Sequence, residues 1–338
     1  MRGVLVLGLV LVLLCVFIIP ALIVRGCAAG PLGRGPGKAS DGPPISVYIE
    51  STGQTVKMTL EEYVKGAVAA EVPALFHVEA LKVQAVLART LAVRRMRLLG
   101  GPGLEGVPGA DISDSPAKGQ GWASEQQLRA RWGAVNYYRY WARVTQAVEA
   151  TNGQVVLYGG QPIDPVYHST CGGRTENSED VWSNAVPYLR SVECTTDTHA
   201  KNYTQSVEFS LSDLERKFGV KAGVLKAMAA GAGASGAGGT VKGPVEITKR
   251  TATGRAREVR VGDKTVNAND FRSVLNLRST QMALTLRDGK LAITTTGYGH
   301  GVGLCQYGAD GLAKQGKTYE EILKYYYKGV TIRRIFKE

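Results

Sequence analysis

The group best placed to do chemistry is a single glutamate at the end of an apolar helical stretch. Glu71 lies in the sequence Ala-Ala-Glu-Val-Pro at positions 69–73, and none of these neighbours can pair with a carboxylate. Pro73 forces a break in the helix directly afterwards. Apolar surroundings raise the pKa of a carboxyl group, and an acid of raised pKa is the proton donor needed to cleave a glycosidic bond. The alternative is an exposed glutamate at a helix end.

Two basic residues follow on the next predicted helix. Lys82 and Arg89 are seven positions apart and therefore share one face of a helix expected at 78–99. If this helix packs back over the turn, that face meets Glu71. The alternative is a solvated basic face, since three more arginines follow before residue 98.

Two later segments combine polar side chains with glycines. They are 167–175 (YHSTCGGRT) and 297–309 (GYGHGVGLCQYGA). Glycine lets another chain or a ligand approach the backbone closely, so both segments are candidate walls of a groove. His168 is a candidate base, metal ligand or structural histidine. The glycines of the second segment do not have the spacing of a GxGxxG dinucleotide-binding loop.

The cysteines allow another type of enzyme. There are five, none in a CxxC pair, which is too few for a disulfide-dense scaffold. A cysteine hydrolase would use Cys171 or Cys305 with His168 or His300. No orienting acid lies at a recognised spacing from these residues, so the sequence disfavours this alternative.

Composition and charge narrow the function classes. The chain has 338 residues, of which 44% are hydrophobic, and this excludes a disordered or collagen-like protein. It carries 41 Lys+Arg against 29 Asp+Glu, a formal net charge of +12. Such a charge suits anionic cell-wall polymers, lipid head groups or nucleic acid. The basic residues are scattered and aromatics make up only 7%, so we expect no nucleic-acid partner.

The N-terminal region reads as a membrane anchor. Residues 4–24 are uninterruptedly apolar, and at about 1.5 Å per residue they can cross a hydrocarbon core of about 30 Å. We expect one transmembrane signal anchor there, with residues 1–3 as a cytoplasmic tip; a cleaved signal peptide is the alternative. The Gly/Pro-rich stretch 25–44 is typical of a linker.

Residues 45–338 are predicted to form a single α+β domain with a substrate groove. Capping boxes begin at Thr59 and Thr318, and the long irregular stretch 159–205 is typical of a functional loop. A low-complexity stretch at 229–239 predicts a flexible insertion. Helices are expected at 59–70, 78–99, 125–151, 211–218, 268–275, from about 304, and at 318–327; strands are expected at 45–58 with an inner turn, 154–158, 245–261 and 284–296.

Taken together, four segments resemble the stage II sporulation protein D family of peptidoglycan lytic transglycosylases, which includes amidase enhancers. They are 64–92 (VKGAVAAEVPALFHVEALKVQAVLARTLA), 167–182 (YHSTCGGRTENSEDVW), 187–194 (PYLRSVEC) and 297–323 (GYGHGVGLCQYGADGLAKQGKTYEEIL). The resemblance covers nearly all of residues 46–334. It implies a protein of the cell membrane with one span and an extracytoplasmic catalytic domain.

The resemblance also implies a reaction. Glu71 matches the single catalytic glutamate of the family. It would protonate the glycosidic oxygen between N-acetylmuramic acid and N-acetylglucosamine and then take the proton of the muramic C6 hydroxyl, which leaves a 1,6-anhydro end. No cofactor is implied. The residues expected to bind substrate are Lys82, Arg89, His168, Ser169, His300, Gln306 and Tyr307.

Metal and disulfide expectations depend on the same resemblance. Some family members bind zinc in the loop after the second helix. In the comparable stretch here Ser113, Lys118 and Gly119 stand where soft ligands would be, so we expect no metal. Outside the cell a Cys171–Cys194 disulfide is the expected pairing. A three-ligand site formed by these two cysteines and His168 is the alternative.

The implied partners are peptidoglycan glycan strands, a cell-wall amidase that first removes stem peptides, and membrane proteins of an engulfment complex. The expected role is degradation of septal peptidoglycan during sporulation. The alternative is a non-catalytic wall-binding module that enhances an N-acetylmuramoyl-L-alanine amidase; such a module would keep the groove but would not need Glu71.

Overall fold

The computed structural model describes residues 41–234 and 243–336. The expected membrane segment at 4–24 and most of the linker at 25–44 lie outside the described residues. Within the described residues, no helix combines the length and the apolar character that a membrane span requires. Residues 229–234 of the expected insertion are helical, and the rest of it lies outside the described part of the chain.

The structure begins with a hairpin and a capped helix. Strands β1 (Pro44–Ile49) and β2 (Gln54–Thr59) pair antiparallel and lead into helix α1 (Leu60–Glu71). The predicted capping box is present, because the Thr59 side chain accepts from the Glu62 N–H and the Glu62 side chain accepts from the Thr59 N–H. Val72 is extended, as residues before proline tend to be, and this conformation ends α1 directly after Glu71.

One long helix forms the centre of the main core, and a second packs against it. Helix α2 (Val78–Arg95) is buried on nearly every face, and α3 (Glu125–Ala150) packs against both α1 and α2. Helix α2 is shorter than predicted, because residues 97–99 form a separate 3₁₀ turn. Between α2 and α3, the short strand β3 (Ile112–Ser113) pairs parallel to β1.

The stretch 159–205 contains several short strands. After α3 the main core continues with β4 (Gln154–Tyr158), β5 (Gln161–Pro162), β6 (Tyr167–His168), β7 (Gly173–Arg174), α4 (Ser178–Val181) and β8 (Glu193–Cys194). The C-terminal elements also belong to the main core, and they are β15 (Leu304–Cys305), α8 (Gln306–Lys314), α9 (Tyr319–Tyr326) and β16 (Thr331–Arg334). Strand β4 lies between β16 and β5. Strand β6 pairs parallel with β15, and α8 packs on α2. These contacts bring the two glycine-containing segments together.

A second hydrophobic cluster is built by the intervening residues. Its elements are β9 (Thr204–Ser210), α5 (Leu211–Phe218), α6 (Val224–Ala234), β10 (Val245–Arg250), β11 (Ala256–Val261), β12 (Lys264–Asn267), α7 (Ala268–Val274), β13 (Met282–Arg287) and β14 (Lys290–Thr296). They include two three-stranded sheets, ordered β13-β14-β9 and β10-β11-β12. The helices and small sheets do not alternate in a regular pattern, so the predicted α+β class is confirmed for the described residues.

Candidate active site

Glu71 is the last residue of α1 and its side chain is half-buried. The loop before α3 lies over it, and the backbone N–H of Gly121 donates a short hydrogen bond to Oε1. This loop is held in place by the Ala123 N–H, which donates to the Gly66 carbonyl of α1 at 3.3 Å. The carboxyl group is therefore positioned by backbone, with part of its surface still open.

Burial raises the pKa of Glu71 above its ordinary value. Hydrogen bonds from the Gly121 N–H and from the Tyr167 and Gln306 side chains act in the opposite direction, and burial outweighs them. The sequence argument from apolar neighbours predicted this direction. A carboxyl group of raised pKa retains its proton to higher pH than an ordinary glutamate does, as a general acid requires.

A buried hydrogen-bond chain supports the Tyr167 side of the carboxyl. The Tyr167 hydroxyl lies 3.3 Å from Gln120 Oε1, so its single proton can be donated either to this oxygen or to Glu71. Gln120 Nε2 donates to the Tyr63 hydroxyl at 2.8 Å and to the Ala88 carbonyl at 3.1 Å. Burial raises the pKa of both tyrosines, with the Glu71 charge as a further cause, so both hydroxyls stay protonated. The sequence patterns single out neither Gln120 nor Tyr63, and they include Tyr167 only as part of the segment 167–175.

Gln306 approaches Glu71 from the first position of α8. Its side chain is buried, and Nε2 donates to Gln84 Oε1 of α2 at 3.3 Å. The structure thus brings together Glu71 and Gln306, which are far apart in the sequence. The role of Gln306 in substrate binding stays a prediction.

The two predicted histidines lie side by side, with ring centroids 5.5 Å apart. His168 Nδ1 donates to the Val302 carbonyl at 3.0 Å, whereas its buried Nε2 has no hydrogen-bond partner among the described residues. His300 Nε2 donates to the Tyr167 carbonyl at 2.9 Å, because its Nδ1 accepts from the Val302 N–H at 3.1 Å. Burial lowers the pKa of His300 to about 4 and that of His168 well below its ordinary value, so both rings are neutral near neutral pH.

Ser169 and Tyr307 help to join β6 to the start of α8. The Tyr307 N–H donates to the Ser169 carbonyl at 3.1 Å, and Ser169 Oγ lies 3.2 Å from Thr170 Oγ1. The Tyr307 ring packs edge-on against Phe76 at 4.9 Å. Both side chains are half-buried, and their contact with substrate stays a prediction.

The glycines of 297–309 serve the protein's own packing. A Cβ on Gly303 would lie 2.1 Å from the Val166 carbonyl oxygen, and one on Gly299 would lie 2.7 Å from the His168 Cβ. Both residues also have positive φ values. The close approach predicted from these glycines is therefore made to the β6 segment of the same chain.

The expectation that Arg89 binds substrate is wrong in this structure. Its side chain is fully buried and donates two bonds to the Glu61 carboxylate, from Nε at 2.7 Å and from Nη2 at 2.6 Å. Its remaining donors reach backbone carbonyls, including that of Gln154 at 3.1 Å. Helix α2 does pack against α1, but the basic residue meets Glu61 and not Glu71.

Lys82 lies near the start of α2 and is only partly exposed. Its Nζ forms an ion pair with Glu79 at 2.6 Å and lies 5.6 Å from the centre of the Tyr319 ring. The ion pair lies within α2, and the contact with the Tyr319 ring links α2 to α9. A role for Lys82 in binding substrate stays a prediction.

The expected Cys171–Cys194 disulfide is not formed. Both residues and Cys305 are buried free thiols, and each makes close polar contacts with its surroundings. Cys171 and Cys305 lie near Asp197, with Sγ to Oδ2 distances of 3.1 and 3.7 Å. This arrangement leaves no exposed nucleophile for the cysteine-hydrolase alternative.

The loop considered for zinc contains a different set of contacts. Lys118 Nζ pairs with Glu50 at 2.8 Å, and Ser113 Oγ donates to the same carboxylate at 3.0 Å. Oxygen and ammonium groups thus occupy the positions where soft ligands would be needed.

A pocket of about 160 Å³ adjoins the Glu71 site through Tyr167. Arg95 contributes its basic group, and no described carboxylate forms an ion pair with it. The lining residues are Leu91, Arg95, Gly119, Asp164, Pro165, Val166, Tyr167 and His300.

Comparison with known proteins identifies the family. A family model described as Stage II sporulation protein (SpoIID) matches residues 48–158, which include Glu71. The chain belongs to the stage II sporulation protein D family. Stage II sporulation protein D of Bacillus subtilis (strain 168) is 36% identical over 288 residues, covering 85% of this chain and 78% of that protein. The protein of the same name from Bacillus amyloliquefaciens is 35% identical over 297 residues, with the same coverage of 85% and 78%.

A more distant relative carries a different name. The Amidase enhancer of Bacillus subtilis (strain 168) is 28% identical over 306 residues, covering 79% of this chain and 40% of the relative. The family is therefore connected with sporulation, and one relative is named for its effect on an amidase.

Proposed function

We propose that this protein is a lytic transglycosylase that cleaves the bond between N-acetylmuramic acid and N-acetylglucosamine in cell-wall glycan. The observation that carries the proposal is the half-buried Glu71 carboxyl of raised pKa beside the pocket at Tyr167 and His300. Membership of a sporulation family supports septal peptidoglycan as the substrate.

In the proposed mechanism Glu71 acts twice. The protonated carboxyl donates its proton to the glycosidic oxygen as the bond to C1 breaks. The Gly121 N–H and the Tyr167 and Gln306 side chains then stabilise the carboxylate that forms. This carboxylate accepts the proton of the muramic C6 hydroxyl, whose oxygen bonds to C1 and closes the 1,6-anhydro ring. Because no water is added, no second carboxylate is needed as a base to activate one.

The proposed setting is the outer face of the cell membrane, with one N-terminal span and the domain extracytoplasmic. Peptidoglycan strands, a cell-wall amidase and membrane proteins of an engulfment complex are the proposed partners. The net charge of +12 supports attraction to anionic wall polymers.

A non-catalytic function as an enhancer of an amidase is the second candidate. The name of the relative from Bacillus subtilis, Amidase enhancer, favours it. The two candidates differ in whether Glu71 must transfer a proton.

Mass spectrometry of glycan products distinguishes the two functions. Purified glycan strands are incubated with the full chain alone, with the amidase alone and with both. A transglycosylase produces 1,6-anhydro-muramic ends without the amidase present. Increased amidase products with no anhydro ends in any mixture would contradict the proposed reaction and support the enhancer.

We expect strands stripped of stem peptides to be cleaved faster than peptide-bearing strands. Removal of the peptide exposes the muramic carboxylate, with which the Arg95 guanidinium of the pocket can form a charge-assisted hydrogen bond. Rates on both substrates are compared at equal enzyme concentration for the wild type, Arg95→Ala and the matched control Arg94→Ala. Arg94 is exposed and donates to the Pro162 carbonyl at 3.1 Å.

We expect Arg95→Ala to lose the preference for stripped strands and Arg94→Ala to keep it. Equal rates of the wild type on both substrates would contradict it.

A further inference from the structure

Four potential metal ligands meet in a part of the core that the proposed reaction does not use. Cys171, Cys194, Asp197 and Cys305 are all buried, and their ligand atoms lie within 4.8 Å of one another. They come from the loop after β6, from the end of β8 and the residues after it, and from β15. Three thiols and a carboxylate are a donor set that zinc accepts.

The spacing of these atoms is close to that of a tetrahedral site. With Zn–S bonds of about 2.3 Å, ligand atoms at the corners of a tetrahedron are about 3.8 Å apart. Asp197 Oδ2 lies 3.1 Å from Cys171 Sγ and 3.7 Å from Cys305 Sγ. Small side-chain adjustments therefore suffice to place an ion between the four ligands.

The Asp197 carboxylate has one oxygen without a partner. Its Oδ2 accepts the backbone N–H groups of Cys171 and Gly172, both at 2.9 Å. Its Oδ1 is buried, and no described donor forms a hydrogen bond with it. A buried, unpaired carboxylate oxygen is costly in free energy, and a cation in the cluster would remove that cost.

The sulfur atoms also have donors around them. Cys305 Sγ accepts the backbone N–H groups of Cys171 and Gly308, each at 3.3 Å, and the second of these bonds caps the N-terminus of α8. The Tyr326 hydroxyl lies 3.1 Å from Cys194 Sγ. These donors can stabilise the sulfur atoms once a metal ion has displaced their protons.

Two residues beside the four candidate ligands contribute a positive charge and close packing. The buried Arg255 guanidinium donates to the Cys171 carbonyl at 2.5 Å, which places a positive group beside the cluster. Gly308 packs so tightly that a Cβ there would lie 2.4 Å from Cys194 Sγ. A side chain at this position would displace a ligand.

We propose that Cys171, Cys194, Cys305 and Asp197 bind one zinc ion that cross-links these three segments. Binding releases a proton from each thiol, and the three thiolates and the carboxylate each form one bond to the metal. All four positions are filled by protein, so the ion stabilises the fold and does not bind substrate. This site differs from the loop at 111–122, and it replaces the expectation of no metal and of a Cys171–Cys194 disulfide.

Cobalt binding tests the site directly. The full chain with Cys15→Ser and Cys27→Ser keeps only the three clustered cysteines. After reduction and removal of metal it is titrated with Co²⁺ and then with Zn²⁺. We expect one Co²⁺ per chain, with thiolate charge-transfer absorption and the intense visible bands of tetrahedral cobalt, all abolished by Zn²⁺. We also expect a higher melting temperature with Zn²⁺ than after chelation.

Variants of the ligands complete the test. Asp197→Asn, which keeps the shape of the side chain, and Cys171→Ser should each weaken Co²⁺ binding by at least about 100-fold, beyond the usual effect of changes outside the ligands. Asp180→Asn is the control, since that carboxylate pairs with Arg257.

Three results would overturn the proposal: no stoichiometric metal on the folded, reduced protein; a Cys171–Cys194 disulfide in peptide maps of protein purified without reductant; or unchanged cobalt affinity in Asp197→Asn. None of these measurements depends on the activity assigned to Glu71.

Discussion

Glu71→Gln should lower the rate of glycan cleavage by at least about 10²-fold while leaving the protein folded. The amide keeps the shape of the side chain but cannot donate a proton to the glycosidic oxygen. Production of 1,6-anhydro ends by the wild type, Glu71→Gln and Glu71→Ala is measured by mass spectrometry. Glu105→Gln is the control, because this glutamate is exposed in a loop.

The raised pKa of Glu71 gives the same variant a second measurable effect. The native state binds the Glu71 proton more tightly than the unfolded chain does, so this group lowers the free energy of unfolding as the pH rises from the ordinary pKa through the raised one. Glu71→Gln cannot ionise, so this pH-dependent decrease in the free energy of unfolding is absent from the variant. Its stability at neutral pH should equal or exceed that of the wild type, whereas below the ordinary pKa the advantage disappears.

The pH dependence of wild-type activity follows from the same raised pKa. Its kcat/KM should fall as the pH rises through the raised pKa, because the proton donor is lost.

Near-normal cleavage by a folded Glu71→Gln variant would contradict the assignment of Glu71 as the proton donor.

Arg89→Met should destabilise the protein by about 3–5 kcal/mol. The substitution leaves the Glu61 carboxylate, which is only 3% exposed, in the core without its two charged hydrogen bonds. Urea unfolding of the wild type, Arg89→Met and Arg89→Met/Glu61→Gln measures the cost. The double variant should recover part of the loss, because it removes the uncompensated charge.

A surface pair provides the matched control. Arg129 and Glu125 pair at 2.7 Å, but their side chains are 41% and 62% exposed. Arg129→Met should therefore cost no more than about 1 kcal/mol. A loss of that small size in Arg89→Met would show that the buried pair is not needed for stability.

Local signals in the sequence predicted the features that local physics decides. The capping boxes at Thr59 and Thr318 both form, since each needs only the residues of one helical turn. Pro73 ends α1 where expected, because the constraint acts on the preceding residue. The apolar neighbours of Glu71 predicted the direction of its pKa shift for the same reason.

Features that depend on which distant residues meet were not predictable. The seven-residue spacing of Lys82 and Arg89 indicates a shared face of a helix, but not what lies against that face. Because helix α2 is buried on nearly all sides, Arg89 lies in the core and pairs there with the Glu61 carboxylate. The contact between Gln120 and Tyr167 likewise joins the loop before α3 to strand β6.

The predicted disulfide was wrong for a similar reason. Two cysteines, Cys171 and Cys194, suggest a disulfide when considered alone. Cys305 joins this cluster because β6 pairs with β15, and Asp197 joins it by accepting the Cys171 N–H. No local pattern contains this information.

The parallel pairing of Tyr167 with Leu304 joins two segments that are far apart in the chain. Hydrogen bonds between segments so far apart form late, because a long loop must close before they contribute any stability. Until then Glu71 lacks the Gln306 side chain, even if α1 and α2 have already packed. A chain whose C-terminal segment has not yet packed against β6 therefore has an incomplete Glu71 site.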